Sequence, residues 1–434
     1  MNIYSRNTSL SILEESEISN LHINDYIHNY FNKTKIPPLD KKFINKLVLG
    51  TVRLKGRYDY IISQIYHGDY MRLKLKLKNI LRLGCYQIEQ MNSVPNHASI
   101  SIMVEITKKH LKGYEKLVNA ILRKFTEGKK AYDFDINSSK TFPLLSHPSW
   151  LIDKWIKEFG IKKMVELCKY NNQDPSIWFR INNSLELTNI YSEVEKLSLV
   201  YNKHVLSEVY FTVDSPYNLI ESNLFKNGDL SIQNPINGFI VNILNPKKNE
   251  IIIDGCSAPG GKGSLISLMA PHSKIYSIEI NKNRISKIEE SINRHKLKNI
   301  SILNLDMSKD RLPLADKILI DVPCSGTGVI NRRVDLRWKR KSKDITNSAK
   351  LQYKILMNSS KYLKNNGVIV YSTCSIEAEE NSKIINLFIK NNKNYILEDS
   401  GKIINPSLVK NNNLDVLPGK YDLDGGSAAK LRKI

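Results

Sequence analysis

Three short stretches of this 434-residue chain hold residue types suited to chemistry. The first is Asp254-Gly255-Cys256-Ser257-Ala258-Pro259-Gly260-Gly261-Lys262, which directly follows Ile251-Ile252-Ile253. A buried strand that ends in a glycine-rich turn and opens a helix is a ligand-binding corner, because glycine lets the backbone turn sharply and the helix start presents free N–H groups. The other two are Asp321-Val322-Pro323-Cys324-Ser325-Gly326-Thr327-Gly328 and Ser372-Thr373-Cys374-Ser375, each at the end of an apolar run. A nucleotide-like cofactor and a thiol are expected to meet at one sheet edge.

The corner discriminates among nucleotides. A P-loop needs G-x-x-x-x-G-K-[ST], but Cys256 stands where its first glycine would be and Gly263 follows Lys262. A dinucleotide turn needs G-x-G-x-x-G, and position 257 is Ser. S-adenosylmethionine fits better, since its amino acid and sulfonium need a close backbone rather than a phosphate cradle. Glu279, closing the second strand, would accept hydrogen bonds from the ribose hydroxyls, and Asp306, just past the third, from the adenine amino group. Residues Cys256, Ser257, Ala258, Pro259, Gly260, Gly261 and Lys262, with Arg284 and Asp321, complete the expected cofactor-binding set. A lone carboxylate at either strand end would read as a helix cap or surface group, and it is the recurrence at consecutive strand ends that favours a ligand.

Cys324 and Cys374 both follow expected strands, so they face one crevice. A thiolate near a helix N-terminus or a cation is a good nucleophile. Cytosine gives that nucleophile a purpose, because C5 is too weakly nucleophilic to take a methyl group until a thiolate adds to C6. Asp321 would then hydrogen-bond the N4 and N3 edge of the base and stabilise charge as it develops. Buried cysteines without a role are common, and Cys85 and Cys168, on expected helical faces, read as such.

These groups need elements to hold them. Helices are expected from residue 10 to about 130, where apolar positions recur at spacings of three and four, as in Ile44, Leu47 and Val48 or Ile100, Met103 and Val104. A boundary falls at 131–148, where Asp133, Asp135, Asn137, Pro143, His147 and Pro148 break the pattern, and a helix pair follows from Trp150 to about Tyr170. Ile177-Trp178-Phe179-Arg180-Ile181 and Val209-Tyr210-Phe211-Thr212-Val213 then indicate a small mixed region ending near Gly228. Its aromatic rings, interleaved with Arg180 and Lys203, read either as base-stacking platforms or, more commonly, as core. Beyond it, strands over 249–254, 274–280, 300–305, 316–322 and 367–373 alternate with helices over 282–296 and 349–363. Strict alternation predicts a parallel sheet covered on both faces, with ligands at the C-terminal strand ends.

Composition bounds the rest. With 41% hydrophobic and 25% charged residues the chain reads as soluble and globular, in more than one domain. It holds no apolar run of about 18 residues and opens without an apolar leader, so a cytoplasmic protein with no membrane partner is expected. Five cysteines at scattered positions without a C-x-x-C pair argue against a disulfide framework and a zinc knuckle, and no metal is expected. The 65 Lys and Arg against 43 Asp and Glu leave a net charge of +22, which attracts polyphosphate. Stretches such as Lys390-Asn391-Asn392-Lys393-Asn394 read equally as the drift of an AT-rich genome, so charge alone leaves both explanations open.

The three motifs together resemble those of the Sun/Nop family of RNA (cytosine-5) methyltransferases. The N-terminal half is similar to the all-helical NusB-like domain and linker of the family's bacterial 16S ribosomal RNA branch, in Leu83-Gly84-Cys85-Tyr86-Gln87, Val94-Pro95, Val118-Asn119-Ala120-Ile121-Leu122-Arg123 and Ser146-His147-Pro148-Ser149-Trp150. The resemblance covers nearly the whole chain. It implies a multidomain α and α/β protein: a NusB-like helical RNA-binding domain over 1–135, linker helices with a small α+β RNA-binding region over 136–227, and a Rossmann-like S-adenosylmethionine-dependent methyltransferase domain over 228–434. It further implies a monomer that methylates C5 of one cytosine in 16S ribosomal RNA, free or in the assembling small subunit. Cys374 of the Thr-Cys motif is implied as the nucleophile, and Cys324 of the Pro-Cys motif as the group that assists product release. DNA-type enzymes attack with the Pro-Cys thiol, so the presence of both cysteines favours RNA.

The chain departs from the family pattern in four places: Ser257 where a second Ala is usual, Gly263 where Thr is usual, Asn234 for a customary Asp, and Asp424-Gly425-Gly426-Ser427 without the aromatic pair that usually follows Asp-Gly. Two alternatives remain: the same chemistry on transfer RNA or another ribosomal RNA, and an inactive RNA-binding assembly or antitermination factor. Intact Asp321, Cys324 and Cys374 weigh against the second.

Overall fold

The computed structural model describes residues 3–19, 21–92, 94–128, 134–183 and 186–434, so the boundary residue Asp133 lies outside the described residues. The chain divides into two compact units, Met1–Asp174 with Ile330–Arg340, and Pro175–Val329 with Lys341–Ile434.

The first unit is helical, as the apolar spacing predicts: α1 (Ile3–Ile18), α2 (Ile23–Lys33), α3 (Pro38–Arg53), α4 (Lys55–Ile65), α5 (Leu75–Gln90), α6 (Asn96–His110), α7 (Glu115–Glu127), α8 (Ser149–Phe159) and α9 (Ile161–Asn171). Val118, Ile121, Leu122 and Phe125 form one buried stripe of α7, while α5 is buried on nearly every side and serves as the central helix. Each such side chain contributes about 1.5–3 kcal/mol on burial. Gly84 permits the close approach of α5 to α7, since a Cβ there would lie 2.7 Å from Leu122 Cδ1. Cys85 and Cys168 are fully buried, in keeping with a packing role.

The second unit opens with β1 (Phe179–Ile181), α10 (Leu187–Lys196), β2 (Tyr201–His204), β3 (Ser207–Val213), α11 (Pro216–Glu221), α12 (Asn223–Lys226) and β4 (Leu230–Ile232). The strands form an antiparallel sheet in the order β2-β3-β1-β4. β4 lies past the expected end of this region near Gly228, because a three-residue strand is too short to register as alternation. The base-stacking reading of its rings is overturned: Phe179 and Phe211 are fully buried and stack on each other at 5.9 Å. Arg180 is buried too, donating to Gln233 Oε1 at 2.6 Å and to Asn182 Oδ1 at 2.8 Å, and Lys203 lies over the Tyr191 ring at 4.5 Å.

The chain continues through α13 (Pro235–Leu244), β5 (Ile251–Gly255), α14 (Gly261–Met269), β6 (Lys274–Ile278), α15 (Lys282–Arg294), β7 (Ile300–Leu303), β8 (Ala315–Asp321), α16 (Leu336–Lys339), α17 (Ser342–Lys361), β9 (Leu363–Thr373), α18 (Ser382–Asn391), β10 (Tyr395–Glu398), β11 (Val409–Lys410), β12 (Asn413–Val416) and β13 (Gly426–Lys433). The sheet runs β11-β12-β13-β9-β8-β5-β6-β7, with β10 also paired to β13. Its five expected strands are parallel, in registers such as Ile252↔Ile275 and Ile318↔Ile369, and bury Ile and Val on both faces. Strand order reverses at β5, which leaves a crevice at the C-terminal ends of β5 and β8.

An all-parallel sheet is not what forms. β13 pairs antiparallel with β9, as in Ala428↔Ser372, and β10, β11 and β12 extend that antiparallel edge. The Gly-Ser-Ala-Ala start of β13 has no β-branched residue to announce a strand. α17 begins at Ser342, ahead of the expected 349, where the Asp344 carboxylate accepts the Lys341 N–H at 2.9 Å. α16, between β8 and α17 in sequence, belongs to the first unit. There the buried Arg337 donates to Ser146 O at 3.1 Å, Asn171 O at 2.8 Å and Asn172 Oδ1 at 2.6 Å.

Candidate active site

The glycine-rich turn lies between β5 and α14, where the strand-to-helix reading puts it. Cys256 adopts φ +58° and Gly260 φ +97°. Ser257 N–H donates to Ile278 O at 3.0 Å, and Gly260 N–H to Ser257 O at 2.7 Å. Glu279, just past β6 and 2% exposed, braces this turn from the side, accepting the N–H of Ala258 at 3.3 Å and of Asn281 at 3.0 Å. Arg284 donates to Ala258 O at 2.6 Å. Beneath the turn lies the fully buried Asp254, and burial pushes its carboxyl up to about 8, against the pull of Lys262. Gly263 explains itself here, because a Cβ at 263 would lie 2.5 Å from Asp254 Oδ2. Burial also pushes the Cys256 thiol well up, so it stays protonated.

These residues suit S-adenosylmethionine. Carboxylates, Glu279 and Asp306, stand just past the ends of β6 and β7. The Ser257 hydroxyl is buried in the turn with no hydrogen-bond partner among the described residues. Asp306 follows β7 and accepts the N–H and hydroxyl of Ser308 at 2.8 and 2.7 Å. Burial raises its carboxyl, but Ser308 and Lys309 outweigh that and hold it below the ordinary value.

The two thiols come together at the neighbouring strand ends. Cys324 follows β8 and Cys374 follows β9, and parallel pairing of these strands leaves Sγ and Sγ 3.0 Å apart. The contact with Cys374, followed by burial and the nearby Glu380 and Asp321, pushes the Cys324 thiol far up. Cys324 therefore keeps its proton, which it can offer to Cys374. Asp321 ends β8 beside them, accepting from Lys262 Nζ at 2.6 Å and from Ser372 Oγ at 3.1 Å. Lys262, expected to touch the cofactor, thus turns to Asp321, and the remaining expected residues of the corner surround the turn.

Several contacts of this site escape sequence reasoning. Ser372 fixes Asp321, and Gln233 links Arg180 to the corner by donating to Gly261 O at 3.0 Å. Asn234 caps α13 through Ile236 N–H at 3.2 Å, so the usual Asp is replaced by an equally good cap. The atypical C-terminal segment packs tightly: Gly425 N–H donates to Gly328 O at 2.8 Å, and a Cβ at 328 would lie 2.2 Å from Gly425 O. Glu380, fully buried, and Asn381 hold the two cysteine loops. A signal for them existed in their position six and seven residues after Cys374, but an acid in the run Glu377, Glu379, Glu380 reads as solvated.

Comparison with known proteins agrees with this architecture. Residues 241–432 match the family profile of 16S rRNA methyltransferase RsmB/F, residues 4–127 that of the NusB family, and residues 147–197 the ferredoxin-like domain of RsmF/B-like methyltransferases. The ribosomal RNA small subunit methyltransferase B of Proteus mirabilis is 32% identical over 366 residues, covering 81% of this chain and 83% of its own. A probable ribosomal RNA small subunit methyltransferase B of Bacillus subtilis is 27% identical over 441 residues, covering 99% of this chain and 98% of its own. The crystal structure of PH0851 shares the fold, with a TM-score of 0.81 at 22% identity over 100% of this chain and 99% of that one. No helix of the described residues is long and apolar enough to cross a membrane.

Proposed function

Because this chain belongs to the ribosomal RNA small subunit methyltransferase B family, we propose that it methylates C5 of a cytosine in 16S ribosomal RNA through a covalent bond between Cys374 Sγ and C6 of the base. The observation that carries the reading is the 3.0 Å approach of Cys374 to Cys324 beside Asp321. S-adenosylmethionine, when bound at the glycine corner, supplies the electrophilic methyl group. The Glu279 carboxylate would accept from its ribose hydroxyls and Asp306 from its adenine amino group.

Cys374, in the Thr-Cys motif, is the attacking thiol, and Cys324 Sγ lies 3.0 Å from it. Cys374 gives its S–H proton to solvent as Sγ adds to C6, and the electron pair of the C5–C6 double bond makes C5 nucleophilic. Asp321, steadied by Lys262 and Ser372, accepts the N4 amino hydrogen as the ring becomes electron-rich. After C5 takes the methyl group it still carries its hydrogen. Cys324, its own S–H proton given up to solvent, then takes the C5 proton. The double bond re-forms and Cys374 leaves as thiolate. Attack, methylation, deprotonation and release follow in that order; the departing Cys374 thiolate regains a proton from solvent, and the net proton released is that of C5.

Bisulfite sequencing of 16S ribosomal RNA from cells lacking this protein tests the reading: one cytosine should lose its protection and regain it when the gene is restored. Loss of a methylated cytosine in transfer RNA instead would keep the chemistry and overturn the substrate.

A further inference from the structure

Two adjacent buried residues, Glu380 and Asn381, each grip one of the two cysteine loops. Glu380 Oε1 accepts the Ser325 N–H at 2.8 Å, and its Oε2 accepts the Ser325 hydroxyl, directly after Cys324. Gln352 Nε2 donates to Glu380 Oε1 and to Pro323 O, both at 3.0 Å, closing the clamp from the other side of Cys324. Asn381 Oδ1 accepts from Thr373 Oγ1 at 2.6 Å, and Asn381 Nδ2 donates to Ser375 O at 2.8 Å, so this side chain spans Cys374. A hydroxyl contact of 3.1 Å, Ser325 Oγ to Ser375 Oγ, joins the two loops below the thiols.

A buried carboxylate is costly unless its oxygens are bonded, and the Glu380 oxygens are bonded to the Pro-Cys loop side and to Gln352. Such a network holds a loop in one arrangement. We infer that Glu380 and Asn381 are positioning residues with divided tasks, Glu380 setting Cys324 for resolution of the covalent bond and Asn381 setting Cys374 for its formation. This rests on the proposed cytosine chemistry. The charged and titratable groups facing Cys324 are Cys374, Glu380, Tyr371 and Asp321 with its partner Lys262, and the Glu380 carboxylate is the buried anion among them that its own clamp brings close.

The test uses the near-isosteric variants Glu380→Gln and Asn381→Asp. Glu380→Gln should accumulate a protein–RNA adduct during turnover, and in enzyme without RNA its Cys324 should be alkylated by iodoacetamide with a midpoint at lower pH than in the unaltered protein. Asn381→Asp, made in a Cys324→Ala parent, should form the adduct about 100-fold more slowly, the cost of misplacing a reacting atom by about 1 Å. Equal effects of the two variants on formation and on resolution, or no effect of either, would overturn the division of tasks. If the Cys324→Ala parent itself forms no adduct, it is the cytosine chemistry that fails, while an unchanged alkylation midpoint in Glu380→Gln overturns the role of Glu380 independently. Should Glu380→Gln not fold, Ser325→Ala removes the same hydroxyl contact, and a wild-type level of adduct in it counts against the clamp.

Discussion

Lys262 Nζ donates to Asp321 Oδ2 at 2.6 Å, and this ion pair ties the glycine corner, which Lys262 helps to build, to the strand end that leads into Cys324. Lys262 is 13% exposed and Asp321 34%, so the pair is partly desolvated and its geometry matters more than its Coulombic energy. Asp321→Asn keeps the shape but replaces one acceptor with a donor that faces Lys262. Single-turnover methyl transfer should fall about 100- to 1,000-fold, as when one group that stabilises developing charge is lost. Cofactor affinity, read by calorimetry, should change far less, and a matching loss of both would make Asp321 a binding residue only.

Replacing Glu279 or Asp306 with Ala should weaken S-adenosylmethionine binding by about 1–3 kcal/mol each, through loss of a charge-assisted hydrogen bond. Because Glu279 also braces Ala258 and Asn281, Glu279→Gln separates the roles: it keeps an acceptor for the turn and should bind the cofactor between the wild type and Glu279→Ala. RNA affinity should be unaffected in all three. Unchanged calorimetric affinity would remove both residues from the cofactor site.

His147 makes stability depend on pH. Its Nδ1 donates to Leu145 O at 2.7 Å and its Nε2 accepts from Asn171 Nδ2 at 3.3 Å, a pattern that only the neutral ring satisfies. Burial, then the charge of Arg337, holds the ring well below 6.5 in the folded protein. The unfolded chain takes up the proton first, so this contribution is whole above about pH 6.5 and is lost as pH falls, by up to about 1.4 kcal/mol per pH unit. Thermal melts between pH 7.5 and 5 should show a lower midpoint for His147→Gln at pH 7.5 but a flatter dependence on pH. Parallel curves for the two proteins would contradict this.

The net charge of +22 is a contact surface for RNA if affinity falls with salt in the manner of counterion release. Six or more neutralised phosphates predict a loss of roughly 1,000-fold between 50 and 200 mM salt. Filter binding that varies little over that range would return the lysines to codon drift.

Much of this architecture could be read from residue order, for physical reasons. Buried parallel strands need runs such as Ile251-Ile252-Ile253, and a turn that must approach a ligand needs glycine, so five strands and the corner were visible. Both cysteines follow adjacent parallel strands, and this brings them to the same end of the sheet. What stayed hidden depends on tertiary partners. Arg180 and Arg337 look like surface charges until buried oxygens are found around them, and Glu380 looks solvated until Ser325 and Gln352 are found against it. β13 carries small residues whose strand conformation comes from pairing with β9 rather than from their own preference.

The asymmetry of the two thiols is the central claim, and it is open to one direct measurement. Cys374→Ala and Cys324→Ala are each incubated with 16S ribosomal RNA and S-adenosylmethionine, then run on a denaturing gel. Cys374→Ala should show neither methyl transfer nor a protein–RNA band, because the bond to C6 never forms. Cys324→Ala should accumulate a band that survives denaturation, because the methylated base keeps its C5 proton and cannot expel Cys374. A band in Cys374→Ala and none in Cys324→Ala would contradict the account and make Cys324 the nucleophile.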